Sequence, residues 1–168
     1  MPTFFTSKKF IANISECSCT TRAIWIDPSS QLTSTIILNI TVFKSLITLM
    51  IGPAGENDAA MFDIDDTLIW TNGTPNTPII NLLHRMKDLG YRIIIITARA
   101  GIPPVIDYTI KQLQNHGIPY HYLGFTSAET KTVMKKKLGY NYILSVGDMP
   151  TDWTDSKYYI NTSNSYRN

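Results

Sequence analysis

The sequence predicts an α/β fold in which helices cover both faces of a parallel β-sheet. Residues 92–97, RIIIIT, contain four consecutive isoleucines, a pattern typical of a strand buried on both faces. Such strand-like runs alternate with stretches in which apolar residues recur every three or four positions, and this alternation is typical of β-α-β units. The chain has 168 residues, 43% hydrophobic and 17% charged, which is enough for one buried core.

The sequence predicts an N-terminal arm over residues 1–58 and a regular core over residues 59–168. Residues 1–35 have no clean period and are rich in Ser, Thr and Cys, which predicts irregular chain or a small helix packed on the domain. Residues 36–51 predict a mostly buried helix with one narrow polar stripe, formed by Thr41, Lys44, Ser45 and Thr48. This run is shorter than the roughly 20 residues that a bilayer requires, so a membrane span is not favoured.

The first half of the core predicts a strand, a helix and a second strand. Residues 59–64, AAMFDI, are a short apolar run that ends in acids. Thr77 and Pro78 predict the N-cap and first-turn proline of a helix, and Gly90 predicts its left-handed end. This helix leads into the isoleucine strand at 92–97.

The second half of the core continues the alternation. Pro103 and Pro104 predict the start of a helix that ends at 116–117, and PYHYLGF at 119–125 predicts the next strand. A capping box of Thr126 and Glu129 predicts a further helix, which Gly139 closes.

The last part of the core predicts two more strands and one charged helix face. YILSVG at 142–147 predicts a buried strand, and YYINT at 158–162 predicts a strand at the edge of the sheet. The charge run at 135–137, three lysines, predicts a solvated helix face.

Acids follow two of these strands, at the edge where the carboxyl ends of parallel strands meet. Asp63, Asp65 and Asp66 stand in FDIDDT, whereas Asp148 and Asp152 stand in GDMPTD. Ligands of such sheets bind beyond the carboxyl ends of the strands, so we expect these acids to lie close together. Carboxylates that meet repel one another and need a cation, and an all-oxygen ligand set favours Mg²⁺.

Two further residues belong to the same edge. Thr97 ends the second strand in ITAR with a hydroxyl and a loop of backbone amides, and Lys131 begins the helix before the strand at 142–147. Both groups can hold phosphoryl oxygens. A carboxylate nucleophile, a second carboxyl two residues later, a hydroxyl, a lysine and a metal-binding acid are the parts that phosphoryl transfer requires.

In order and spacing, FDIDDTL, ITAR, Lys131 and GDMPTD resemble the four motifs of the haloacid dehalogenase (HAD) superfamily of phosphohydrolases. This resemblance covers residues 59–162, and within it residues 129–153 are similar to the class B and subfamily IIIB acid phosphatases, including plant and viral relatives. The resemblance implies a Rossmann-like core with minimal or no cap, and Mg²⁺-dependent hydrolysis of a phosphomonoester through an aspartyl phosphate. The chain departs from the pattern at Ala98, where many members have glycine, and at residues 149–150, where the nearest relatives have a glutamine and an aromatic.

The resemblance also implies a role for each site residue. Asp63 would be the nucleophile and a ligand of Mg²⁺. Asp65 would protonate the leaving group and then deprotonate water, and it would reach the metal through its backbone carbonyl. Asp148 would be the remaining metal ligand, and Asp152 would orient waters on the metal. The residues that would bind the phosphoryl group are Thr97, Ala98, Arg99 and Lys131.

The spacing of the motifs predicts an open site. Only 34 residues separate Asp63 from Thr97, and that interval already contains a helix. Such a site cannot close a lid over its substrate, so it favours large or partly exposed phosphoesters unless the arm or another subunit of a homo-oligomer covers it. Trp70 and Trp153 flank the motifs and would either stack on a substrate ring or, the favoured interpretation, pack within the fold.

Two other classes of protein stay open as alternatives. A receiver-type phosphoacceptor module has a similar set of acids, threonine and lysine, but its acceptor follows a later strand than its paired acids do. A storage or structural relative would keep the fold without turnover, although the presence of Asp63 argues against this.

Charge, cysteines and the N-terminus argue against several other roles, although nucleic acid stays open as a substrate. Fifteen Lys and Arg against thirteen Asp and Glu give a net charge of +2, too small a surplus for a basic nucleic-acid-binding stripe. The two cysteines, at 17 and 19, exclude a disulfide scaffold, and the three histidines lack the spacing of a zinc site. The first residues do not resemble a secretory signal, which predicts a cytoplasmic protein.

Overall fold

A computed structural model describes residues 51–163 in full and the backbone of residues 9–14, 20–26 and 33–39. The strands of these ranges are β1 (Lys9–Ile14), β2 (Thr20–Ile26), β3 (Thr33–Asn39), β4 (Asp58–Phe62), β5 (Arg92–Thr97), β6 (Tyr122–Phe125), β7 (Asn141–Gly147) and β8 (Ser156–Asn161). The helices are α1 (Thr77–Asp88), α2 (Pro103–Asn115), α3 (Lys131–Leu138) and the single turn α4 (Pro150–Trp153), with a 3₁₀ turn at Ala128–Thr130.

The strands form one sheet in the order β3-β2-β1-β8-β7-β4-β5-β6. The five strands from β8 to β6 are parallel to one another, with helices between them along the chain, which confirms the predicted α/β fold. Strand β4 lies in the middle of these five, between β5 and β7. The interval from Asp63 to Lys131 holds α1, β5, α2, β6 and the 3₁₀ turn, so it contains no inserted cap domain.

Strand β5 is buried on both faces, as its isoleucines predict. All four isoleucines are inaccessible to solvent. Ile93 and Ile95 belong to the apolar cluster that includes the buried face of α1, and Ile94 and Ile96 pack with Met134 and Leu138 of α3. Alternation of side chains along the strand therefore joins the two helical layers through the sheet.

The prediction for the N-terminal arm is wrong where the structure describes it. Residues 9–14, 20–26 and 33–39 are strands rather than irregular chain or a small helix, and β1 to β3 pair antiparallel. The predicted helix at 36–51 is wrong at 36–39, which belong to β3. Residues 40–50 lie outside the described ranges, and Ile51 is helical. The run TSTIILN of β3 is rich in β-branched residues, which pack well in strands.

Strand β8 is flanked on both sides, so the predicted edge position is also wrong. It pairs parallel with β7, and its Asn161 lies opposite Asn13 of β1, also in parallel. The arm therefore extends the same sheet beyond the core.

The ends of the helices follow the prediction with small shifts. Helix α1 has Asn76 rather than Thr77 at its N-cap, and the Asn76 side chain makes no cap bond but donates to the Thr67 carbonyl at 2.8 Å. Gly90 follows with φ of 92°, the left-handed conformation expected after a helix. The predicted capping box at 126 and 129 is wrong: Ser127 and Thr130 form it, one residue later.

The charge run on α3 is only partly solvated. Lys136 and Lys137 are exposed, but Lys135 is completely buried, so the prediction is wrong for this residue. Among the helices that the structure describes, none is long and apolar enough to cross a membrane.

Candidate active site

A tight turn after β4 takes the chain out of the sheet directly after Asp63. The Ile64 carbonyl accepts the backbone N–H groups of residues 67, 68 and 69 at 3.2, 2.9 and 3.0 Å. Asp66 adopts a left-handed φ of 55°, and its Oδ1 accepts hydrogen bonds from the backbone N–H of Thr71 at 3.0 Å and from the Thr71 hydroxyl at 2.7 Å. Asp66 thereby fixes the turn, and the side chains of Asp63 and Asp65 diverge.

Asp63 lies between two neighbours in the fold, one from the sheet and one from a helix. Its backbone N–H donates to the Val146 carbonyl of β7 at 2.9 Å, which holds it against the next strand. Its Oδ1 lies 2.9 Å from Nζ of Lys131, the first residue of α3. The same Nζ lies 2.7 Å from Oδ1 of Asp152. All three side chains are buried, with exposed fractions of 7%, 2% and 0% for Asp63, Lys131 and Asp152.

Three of the predicted acids form a cluster. Carboxylate oxygens of Asp63, Asp148 and Asp152 lie within 4.8 Å of one another. Asp152 has both oxygens engaged, because Oδ1 accepts from Lys131 and Oδ2 accepts from the Met149 N–H at 3.0 Å. One lysine cannot neutralise three carboxylates, and hard oxygen donors of this kind suit Mg²⁺. Asp63 and Asp148 are the better candidate ligands, because both oxygens of Asp152 are already engaged.

Burial and mutual repulsion raise the pKa values of the clustered acids. Burial raises the pKa of Asp63 to about 8, the charge of Asp152 adds to this, and Lys131 opposes it. The pKa of Asp148 is raised by burial and then by Asp152. Burial acts to lower the pKa of Lys131, but the charges of Asp63 and Asp152 outweigh it and raise that pKa. A bound cation would favour the ionised acids.

The side chain of Asp65 lies outside this cluster of carboxylates. Its side chain is 52% exposed, and Arg99 binds both of its oxygens. Nε of Arg99 lies 2.9 Å from Oδ2, and Nη2 lies 2.7 Å from Oδ1. Arg99 is held in turn by a bond from Nη1 to the Thr109 hydroxyl at 3.1 Å, and its guanidinium lies 5.9 Å from the ring centre of Tyr108.

The other predicted phosphoryl-binding residues lie at the end of β5 and in the loop after it, beside the end of β4. Thr97 is buried, and its hydroxyl accepts the backbone N–H of Arg99 at 3.2 Å. Ala98 is exposed in the loop between them. Arg99, whose guanidinium binds Asp65, directly follows Ala98, so this loop joins two parts of the predicted site.

The two tryptophans have partners within the fold. Trp70 is 7% exposed and belongs to the buried core. Trp153 stacks on Tyr159 with ring centres 5.0 Å apart, and its indole N–H donates to the Gly147 carbonyl at 2.9 Å. Both observations support packing rather than substrate stacking.

Sequence reasoning missed two residues around Asp152. A Cβ on Gly147 would lie 2.2 Å from Oδ2 of Asp152, so only glycine leaves room for this carboxylate. The glycine of GDMPTD is the signal that could have indicated this. Lys135 donates to the Asp152 carbonyl at 3.1 Å, a contact that no local pattern indicates.

Comparisons with known proteins support the fold. No protein-family model and no curated protein sequence matches the chain. Among solved structures, it is similar to a chain of the Pnkp1/Rnl/Hen1 complex, with a TM-score of 0.51 and 20% identity over 64% of this chain. A chain of the Pnkp1/Rnl/Hen1 RNA repair complex matches with a TM-score of 0.52 and 20% identity over 68%. The match covers 47% of each of those chains.

Proposed function

We propose that this protein is a Mg²⁺-dependent phosphomonoesterase that forms an aspartyl phosphate on Asp63. The observation that carries the proposal is the buried ion triad of Asp63, Lys131 and Asp152, with Asp148 beside it, at the carboxyl end of the central strand. A carboxylate nucleophile, a fixed ammonium and acids for a divalent cation then converge on one point. Membership of the HAD superfamily is part of this proposal.

The first chemical step would use Asp63 and Asp65. A carboxylate oxygen of Asp63 forms a bond to phosphorus while the bond from phosphorus to the ester oxygen breaks, and Asp65 gives that oxygen a proton. Lys131 lies 2.9 Å from Asp63 and would neutralise charge on the phosphoryl oxygens. Mg²⁺ held by Asp63 and Asp148 would supply further charge neutralisation.

The second step would release the phosphate. Asp65, now ionised, takes a proton from a water molecule whose oxygen bonds to phosphorus, and the bond from phosphorus to Asp63 breaks. Inorganic phosphate leaves, and both acids return to their starting states.

Arg99 adds a condition to this mechanism. Arg99 contacts both oxygens of Asp65, so this ion pair must open before Asp65 can reach and protonate the leaving group. A phosphate dianion offers the guanidinium another bidentate partner. Binding of the phosphoryl group to Arg99 and the loop at Thr97 and Ala98 would therefore free Asp65.

The openness of the site predicts the class of substrate. The absence of an inserted cap between Asp63 and Lys131 favours a large or partly exposed phosphoester. A chain of the Pnkp1/Rnl/Hen1 RNA repair complex has a similar fold, so phosphorylated RNA belongs among the candidate substrates. A homo-oligomer that covers the site and a cytoplasmic location remain predictions from the sequence.

The test is hydrolysis of p-nitrophenyl phosphate by the purified protein with Mg²⁺ or with EDTA, from pH 5 to 8. Asp63→Asn should abolish turnover, because an amide of the same size cannot attack phosphorus. Asp88→Asn is the matched control, since Asp88 is an exposed acid at the end of α1. Turnover that persists in Asp63→Asn would overturn the mechanism. A protein inactive with p-nitrophenyl phosphate and with phosphorylated oligonucleotides would support an inert relative instead.

A further inference from the structure

The side chain of Lys135 is a buried ammonium group outside the ion triad. Its Nζ lies within hydrogen-bond distance of four acceptors for its three N–H groups: the hydroxyls of Ser145 and Ser156, both at 2.9 Å, the Asp152 carbonyl at 3.1 Å and the Thr154 carbonyl. It also lies 4.8 Å from the ring centre of Tyr142. The acceptors come from β7, from the end of α4 with the following loop, and from β8, so one ammonium joins three segments.

This charge is buried without a carboxylate in hydrogen-bond contact among the described residues. Its acceptors are two hydroxyls and two carbonyls, and burial lowers the pKa of Lys135 to about 8 against the opposing charges of Asp155 and Asp152. An apolar side chain of similar length would fill the same space without the cost of desolvating an ion. The specific effect of the ammonium is to hold the polar backbone that surrounds it.

Two lysines of α3 hold the same residue from two sides. Lys131 and Lys135 are four positions apart, so they lie on one face of the helix. Lys131 binds the carboxylate of Asp152 at 2.7 Å, and Lys135 binds its carbonyl at 3.1 Å. Gly147 leaves space for the carboxylate on another side. The backbone and side chain of Asp152 are thereby both fixed relative to α3.

We propose that Lys135 is a positioning residue for phosphoryl transfer: it fixes the backbone of Asp152, which in turn holds Lys131 against Asp63. The proposal rests on the proposed function. Removal of the ammonium should let the segment at 152–154 shift, so that the Asp152 carboxylate no longer directs Lys131 and the acidic cluster loses its shape. The reaction would slow although the contacts of Lys135 do not include the nucleophile Asp63.

The test compares Lys135→Met with Lys137→Met, which changes an exposed lysine of the same helix. We expect kcat for p-nitrophenyl phosphate to fall about 10- to 100-fold in Lys135→Met, the scale of a small misplacement of catalytic groups, and to stay unchanged in Lys137→Met. Activity is expressed per folded protein, from circular dichroism and thermal unfolding. If Lys135→Met does not fold, Lys135→Gln, which keeps a donor without the charge, replaces it.

A double-mutant cycle separates positioning from a general structural role. If Lys135 acts through Asp152, then Lys135→Met should lower kcat strongly in the wild-type background and hardly at all in an Asp152→Asn background. Equal fold-losses in both backgrounds would overturn the proposal, as would a kcat per folded protein that Lys135→Met leaves unchanged.

A second readout keeps failure of this proposal distinct from failure of the proposed function. Binding of Mn²⁺, followed by electron paramagnetic resonance, requires only the shape of the acidic cluster. We expect the Kd for Mn²⁺ to rise about tenfold or more in Lys135→Met, as for loss of a residue that orients metal ligands, and to be unchanged in Lys137→Met. If the wild-type protein binds Mn²⁺ but does not hydrolyse phosphoesters, the proposed phosphatase activity is overturned and the positioning role of Lys135 at the acidic cluster is not. If the Kd for Mn²⁺ is unchanged in Lys135→Met, or if the wild-type protein does not bind Mn²⁺, the positioning role of Lys135 is overturned.

Discussion

At the scale of single residues, the two acids of the Asp-x-Asp pair have opposite surroundings. Asp63 is buried beside Lys131, whereas Asp65 is half exposed and bound by Arg99. A single residue separates them, and the turn around the Ile64 carbonyl produces the difference. A buried acid suits a nucleophile that must exclude water, and an exposed one suits an acid and base that exchanges protons with the leaving group and with water.

Asp65→Asn should slow release of phosphate and let the phosphorylated enzyme accumulate. The amide cannot accept the proton of water, so kcat should fall about 10²- to 10⁴-fold, the usual contribution of general acid–base catalysis. Intact-protein mass spectrometry after acid quenching would detect an added phosphate. Asp88→Asn, treated in parallel, should show none. Wild-type kcat in Asp65→Asn would contradict this assignment, while leaving Asp63 as the nucleophile.

Gly147→Ala should damage the site through contact with Asp152. The new Cβ would lie 2.2 Å from Oδ2 of this completely buried acid, so the carboxylate must shift from the position in which Lys131 binds it. We expect a loss of about 1–3 kcal/mol in the free energy of unfolding, as for other overpacked sites, together with a fall in kcat. Gly55→Ala, whose Cβ would lie 3.1 Å from Asp58, is the milder control. Urea unfolding and turnover measure the two effects, and a Gly147→Ala protein as active and stable as Gly55→Ala would refute the argument.

At the scale of elements, local patterns predicted what is locally determined. The isoleucines of β5 and the glycine after α1 depend on residues within a few positions, and both predictions are correct. The arm strands and the burial of Lys135 depend on distant partners. The acceptors of Lys135 lie 10 to 21 residues further along the chain, so its sequence neighbours made it look like part of a solvated face. Asp63, Asp148 and Asp152 were predictable together because parallel strands bring their carboxyl ends to one edge.

The amino ends of β5 and β6 are joined by a histidine in a way that should depend on pH. Nδ1 of His121 accepts the backbone N–H of Ile93 at 2.8 Å, which requires a ring without a proton on that nitrogen. Burial, then Arg92 and Lys87, lower the pKa of His121 below its usual 6.5. His121 lies in an open pocket that is also lined by Arg92, Lys87, Glu56 and Asp88. Because the pKa of His121 is lowered in the folded protein, this histidine binds a proton at a higher pH in the unfolded chain than in the folded one.

The free energy of unfolding should consequently fall as the pH drops below about 6.5, the pKa of an unfolded histidine, until it reaches the folded pKa. Above that window the contribution is fully present. His121→Gln should remove this component, so urea unfolding at pH 7.5 and pH 5 should show a smaller loss in the variant than in the wild-type protein. His84→Gln, at an exposed position of α1, should follow the wild type. Parallel losses in wild type and His121→Gln would contradict the assignment.

At the scale of the whole molecule, the candidate site joins parts of the chain that are far apart in sequence. Asp63 follows β4, Lys131 begins α3, and Asp148 and Asp152 follow β7. The arm strands add to the sheet at β8, with β7 between β8 and β4, so they extend the sheet on the side away from β5 and β6. The shape of the acidic cluster therefore depends on the packing of β4, β7 and α3 together.

A divalent cation should for this reason stabilise the entire fold. It would relieve repulsion among three clustered carboxylates that one lysine only partly offsets. A cation that binds the folded state alone at 100 times its Kd adds about 2.7 kcal/mol, which for a chain of this length corresponds to a rise in Tm of about 5–10 °C. Differential scanning calorimetry with Mg²⁺, EDTA or NaCl of equal ionic strength separates binding from screening of charge. Asp148→Asn should lose most of the Mg²⁺-dependent rise, and Asp88→Asn should retain it. A rise that persists in Asp148→Asn would place the cation elsewhere, and a Tm that does not respond to Mg²⁺ in the wild-type protein would refute a metal site in this cluster.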